Sequence, residues 1–105
     1  MHRNPFGSFP SSSEKRSRIM LCLDVLRVIS RGVKKPTNIM YKSNLSWAPL
    51  MEILRFLEEE KLIRCEIYGK RKRYEITKKG LDLLKYFRKI EELFILMPKI
   101  DRKLR

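Results

Sequence analysis

Residues 61–77 read Lys61-Leu62-Ile63-Arg64-Cys65-Glu66-Ile67-Tyr68-Gly69-Lys70-Arg71-Lys72-Arg73-Tyr74-Glu75-Ile76-Thr77, and their period decides the fold. Ile63, Cys65 and Ile67 alternate with Arg64, Glu66 and Tyr68, as in a strand with one buried face. Gly69-Lys70 supplies a turn. Beyond it Tyr74 and Ile76 point inward, and Arg71, Arg73 and Glu75 point outward, so the two runs form a β-hairpin. Thr77 then caps a last helix, in which Leu83, Phe87, Ile90, Phe94 and Met97 follow the four-and-three spacing of a coiled-coil seam. Pro98 is expected to stop that helix and leave residues 98–105 as a short basic tail.

Upstream, the pattern is helical. Residues 1–12, with Pro5, Gly7, Pro10 and serines, bury too little to order themselves and read as a flexible leader. Ser11 and Glu14 have capping-box spacing, so a first helix begins near Ser12 or Ser13 and ends at Gly32. Ile19, Leu23, Leu26 and Ile29 form one apolar stripe on it. Leu21, Val25 and Val28 form a second, leaving mainly Asp24, Arg27 and Arg31 for water, so the helix is covered on more than one side. Val33-Lys34-Lys35 reads as a short connecting strand. Pro36-Thr37 starts a brief second helix with Thr37 as cap and with Ile39, Met40 and Tyr41 as its packing side, ending around Lys42 to Asn44. Ser46 caps a third helix, in whose first turn Pro49 costs no hydrogen bond. Trp47, Leu50, Leu54 and Leu57 face inward along it, and Ala48, Met51, Glu52 and Arg55 lie on or near its outward side.

The order is thus helix, short strand, helix, helix, β-hairpin and long helix: α+β, mainly α, the order of a winged helix-turn-helix domain followed by a coiled-coil-like helix. The expected divisions are a leader at 1–12, the winged domain at 13–80, a dimerisation helix at 81–97 and a tail at 98–105. The run Lys35-Pro36-Thr37-Asn38-Ile39-Met40-Tyr41-Lys42-Ser43-Asn44-Leu45-Ser46-Trp47, followed by Pro49-Leu50, resembles small archaeal winged-helix DNA-binding proteins of the Sulfolobus chromatin-protein type. So do Lys61-Leu62-Ile63 and the hairpin exit Tyr74-Glu75-Ile76-Thr77-Lys78-Lys79-Gly80. The resemblance covers roughly residues 15–97, and its hairpin exit is common to many winged helices. It implies a homodimer joined by the last helices, with the third helix as reader and the hairpin as wing.

Composition agrees. The chain has 105 residues, 25 Lys+Arg against 12 Asp+Glu, and a formal net charge of +13, with 43% hydrophobic residues. That is enough for one domain with a core. The longest apolar runs, Ile19 to Leu23 and Leu93 to Met97, fall far short of the ~20 residues that cross a bilayer. With no secretory signal pattern, the expected location is cytoplasmic and nucleoid-associated. The two cysteines, Cys22 and Cys65, have no Cys or His at ligand spacing, so no metal is expected. The single histidine, His2, falls in the leader, no glycine-rich phosphate loop is present, no carboxylate pair is placed across a pocket, and the consecutive Glu58-Glu59-Glu60 of a helix point in different directions, so no enzyme, cofactor or small-molecule substrate is expected.

Charge is concentrated on the wing. Residues 61–79 carry a net +6, whereas residues 42–60 carry −2. A basic hairpin can also be a solvated turn that blunts edge pairing. Beside a helix-turn-helix order, phosphate binding is the stronger reading. The expected DNA contacts are Lys42, Ser43, Asn44, Ser46, Trp47, Ala48, Met51 and Arg55 on the helices, and Lys70, Arg71, Lys72 and Arg73 on the wing. Only Arg55 among the outward residues of the third helix suits bidentate contact with guanine, so sequence readout is modest. Trp47 is in phase with Leu50 and Leu54 and is expected in the core, its other reading being a contact with the DNA backbone or a thymine methyl. The serines are suited to phosphate but also to capping. Leu83, Phe87, Ile90, Phe94 and Met97 are the expected homodimer interface. Two rivals stand beside double-stranded DNA as partner: an acidic protein meeting the basic wing, and RNA. A membrane-surface role for the last helix is opposed by Glu91 and Glu92.

Overall fold

The computed structural model describes the backbone of residues 12–104 and the side chains of residues 18–95. The leader, His2, the Ser11 and Glu14 side chains, Met97 and the side chains of the basic tail therefore lie outside the described residues. Helix α1 spans Ser12–Ser30. Leu23, Val25, Leu26, Val28 and Ile29 are buried, but Ile19 is exposed, so the covered stretch lies in the second half of the helix. There α2, α3, β2 and α4 all pack against it. Arg27, expected in water, is half-buried and donates to Asp24 Oδ1 at 3.3 Å and to Glu91 Oε1 of the last helix at 2.9 Å.

Val33-Lys34-Lys35 is not a strand. Its backbone tie to the hairpin is the Tyr74 amide, which donates to the Lys34 carbonyl at 2.9 Å. Three residues before a proline that lacks an amide are too few to extend that bond into a ladder. Helix α2, Pro36–Ser43, begins two residues earlier than a Thr37 cap implies. Proline's fixed φ suits the first helical position, so Lys35 takes the cap position and Thr37 falls inside the first turn. Ile39 is fully buried and Met40 half-buried, but Tyr41, expected to pack, is 76% exposed. Asn44, in the left-handed region at φ 55°, closes α2, and the Asn44 and Leu45 amides donate to the Tyr41 and Met40 carbonyls.

Helix α3, Trp47–Glu59, buries Leu50, Ile53, Leu54 and Leu57. Ser46 occupies its cap position without a side-chain cap bond. The buried face centres on Leu50, Ile53 and Leu57, which leaves Trp47, the first helical residue, at the rim. It is 49% exposed, where the phase with Leu50 and Leu54 suggested core. The helix ends in a Schellman turn without glycine. Lys61, at φ 61°, donates its amide to the Glu58 carbonyl, and the Leu62 amide reaches Leu57.

Strands β1 (Ile63–Tyr68) and β2 (Arg71–Ile76) pair antiparallel from Ile63 opposite Ile76 to Tyr68 opposite Arg71. Gly69, at φ 62°, takes the positive backbone angle that the two-residue turn requires at its first position. Ile63 and Tyr74 are buried, and Cys65 and Ile76 are half-buried. Ile67, expected inward, is 68% exposed, because the hairpin overhangs the core before reaching its turn. Burial, with Cys65 beside the phenol, pushes the Tyr74 hydroxyl up to about 12, and burial pushes the Cys22 thiol up to about 11.

Helix α4 spans Lys78–Leu104. Thr77 caps it as expected: its hydroxyl oxygen accepts the Gly80 amide at 3.1 Å, while the hydroxyl donates to the Lys61 carbonyl at 2.6 Å. Gly80 is buried where a side chain would collide with the Leu62 carbonyl oxygen and the Ile76 side chain. Pro98 does not stop the helix. A proline removes the single hydrogen bond its amide would have made, and the backbone on both sides remains helical. The 27 residues span roughly 40 Å at ~1.5 Å per residue, so α4 runs past the end expected at Pro98.

Candidate nucleic-acid interface

Two elements flank the proposed DNA side: α3, and the hairpin whose first strand packs against it. On α3 and its approach, Lys42, Asn44, Ser46, Trp47, Ala48, Glu52 and Arg55 are exposed. Met51 is half-buried against the core. Ser43 is turned inward: its hydroxyl is buried with no partner among the described residues, which removes it as a phosphate donor in this geometry. Ser46, with its hydroxyl released from capping, is the better placed serine.

On the wing, Lys70, Arg71 and Lys72 are exposed. Arg73 is different. It is half-buried, with its guanidinium 5.3 Å from the centre of the Tyr68 ring, a cation–π distance. The Tyr68 hydroxyl donates to Glu66 Oε2 at 2.8 Å, and that carboxylate holds the phenol in its neutral form by raising its pKa. Glu75 accepts from both Lys34 and Arg64, which hold its carboxyl below the usual range. The outward face of the hairpin therefore carries a ladder of ion pairs and a cation–π contact, and Lys70, Arg71 and Lys72 remain outside it.

The structure adds cations that the sequence order left as a connection. Lys34, Lys35, Asn38, Tyr41, Lys42 and Arg73 line a shallow cavity of about 420 Å³ between the α1–α2 link, α2 and β2. Lys35, Pro36 and Thr37 line a second depression together with Arg71 and Lys72. The basic surface thus continues from the wing to the start of α2. The pairing of Lys34 with the hairpin was the missing signal, and no local period could supply it.

Of the expected dimer residues, Leu83 and Phe87 are half-buried, with Leu83 packed on the core, while Ile90 and Phe94 are 41% and 60% exposed. Tyr86, Leu93 and Ile95 are exposed beside them. Among the described residues no group of His, Cys, Asp and Glu could hold a metal ion, and no helix is long and apolar enough to cross a membrane.

Three helices with a two-stranded hairpin after the third make a winged helix-turn-helix domain. The winged helix-turn-helix family model matches residues 15–94, and the chain belongs to that family. It is 35% identical over 85 residues to an uncharacterized protein of Methanocaldococcus jannaschii, a match that covers 81% of this chain and 37% of that relative's length. Among solved structures, it is similar to Sso10a-2, a DNA-binding protein from Sulfolobus solfataricus, with a TM-score of 0.62 and 24% identity over 81% of this chain and 93% of the other. The S. aureus MepR–DNA complex superimposes with a TM-score of 0.64 and 17% identity, covering 89% and 88% of the two chains. These structural likenesses show the shared fold.

Proposed function

We propose that this chain binds duplex DNA as a homodimer, as a transcriptional regulator or a nucleoid-associated architectural protein in the cytoplasm. The observation that carries the reading is the placement of three exposed wing cations, Lys70, Arg71 and Lys72, on the hairpin that packs against a helix-turn-helix reading helix. The reading helix enters the major groove, and the wing meets phosphates or the flanking minor groove. Arg55 is the base-contact candidate, Trp47 and Ser46 sit at the groove edge, and Lys35 and Lys42 extend the phosphate contacts. The DNA-binding description of the Sulfolobus relative and the DNA in the MepR complex support the same reading.

The exposed apolar residues Ile90, Leu93 and Phe94 on α4 support a second copy as the dimer partner. No catalytic role is proposed.

Anisotropy titration of the full chain on a labelled duplex across a salt series tests this. Log affinity falls linearly with log salt, and replacing Lys70, Arg71, Lys72 and Arg73 by Ala flattens the slope by about two to four. An unchanged slope rules out the wing as the phosphate-binding element. Tighter binding to single-stranded or A-form RNA, or to an acidic protein, favours the corresponding rival.

A further inference from the structure

The core-side face of the hairpin does not end with the core. Ile63 is buried, Cys65 is half-buried, and the next residue on that face, Ile67, is 68% exposed. Successive side chains of a strand alternate between faces, so Ile67 projects from the same side of the wing as α3, which packs against β1. Directly opposite it in the ladder is Lys72, and Lys70 and Arg71 follow within the turn and the start of β2. An aliphatic side chain thus stands bare among cations on a hairpin with a two-residue turn, whose other face carries the contacts of Tyr68 with Glu66 and Arg73.

We propose that Ile67 is a minor-groove wedge: with Lys70, Arg71 and Lys72 on the flanking phosphates, it inserts between base pairs and bends the duplex. This rests on the DNA-binding reading above. The chemistry fits because apolar side chains that enter a minor groove partly unstack a base step and bend the duplex toward the major groove, while neighbouring cations hold the wing on the phosphates that flank the opened minor groove. A solvated strand needs only a β-former at this position, which a threonine supplies equally well. The wedge needs the apolar bulk.

Ile67→Thr and Ile67→Phe therefore separate the two roles. On a duplex of about 30 base pairs labelled at both ends for energy transfer, the wild type and Ile67→Phe shorten the end-to-end distance on binding, whereas Ile67→Thr binds with the same salt slope and leaves the duplex straight. On a duplex containing one mismatched step, the wild type gains about tenfold in affinity over the continuous duplex, and Ile67→Thr gains clearly less. Bound wild type that leaves the DNA straight, or Ile67→Thr that bends it fully, overturns the wedge while the DNA-binding reading stands. Absence of duplex binding by anisotropy overturns both. A change in the sedimentation of Ile67→Thr without DNA assigns the residue to a protein interface and also overturns the wedge.

Discussion

Lys34 Nζ donates to Glu75 Oε1 at 2.9 Å, joining the connection before α2 to the second strand of the wing. The other oxygen of the same carboxylate accepts from Arg64 at 2.9 Å. One carboxylate thus ties both strands of the wing to the helical core. Its pKa is depressed in the folded state, so its contribution is present above the ordinary carboxylate range and is lost as pH falls through the depressed value. Glu75→Gln is expected to lower the backbone order parameters of residues 66–73 at neutral pH while the helices stay unchanged. Equal order parameters in the two proteins would show that the wing is held by its ladder alone.

Gly80 sits under the Leu62 carbonyl, where a Cβ has no room. Alanine is the better helix former by up to ~1 kcal/mol, yet overpacking of this kind costs ~1–3 kcal/mol. Gly80→Ala is expected to lower the urea midpoint with an unchanged m-value. A midpoint equal to or above that of the wild type contradicts the close packing.

On α4, the half-buried and exposed positions should respond differently to charge. Ile90→Glu with Phe94→Glu alters side chains that are 41% and 60% exposed in the protomer, and yields monomers with native helical content if these residues form the seam. Leu83→Glu strikes a side chain packed on the core and is expected to unfold the domain. Sedimentation with far-ultraviolet circular dichroism distinguishes the cases, and a monomeric wild type at micromolar concentration excludes the dimer.

Arg55 and Trp47 divide specificity from affinity. If Arg55 contacts a base, Arg55→Ala costs ~1–3 kcal/mol on a selected site and little on a scrambled duplex. Trp47→Ala, at the exposed start of α3, weakens both duplexes alike through lost contact with the backbone. Titration of each variant on both duplexes decides the assignment, and identical losses for Arg55→Ala on the two duplexes remove it as a reader.

Period and local chemistry were enough for the order of the four helices and the hairpin, though not for the expected strand at Val33-Lys34-Lys35, and for the hairpin register around Gly69-Lys70, the Thr77 cap, the core residues Leu50, Leu54 and Leu57, and the concentration of cations on residues 70–73. These depend on neighbours a few residues apart, where backbone geometry leaves few choices. Tertiary structure decided the rest. It placed Trp47, Tyr41 and Ile67 in solvent, since whether a residue in phase with a core is covered depends on how far the opposing element extends. It turned the Ser43 hydroxyl inward and brought Lys34 and Lys35 to the wing through pairing across some 40 residues of chain. It also carried α4 through Pro98, where one missing hydrogen bond did not end the helix. A one-dimensional pattern encodes which face of an element is apolar, and only the packed arrangement of elements determines how much of that face is covered.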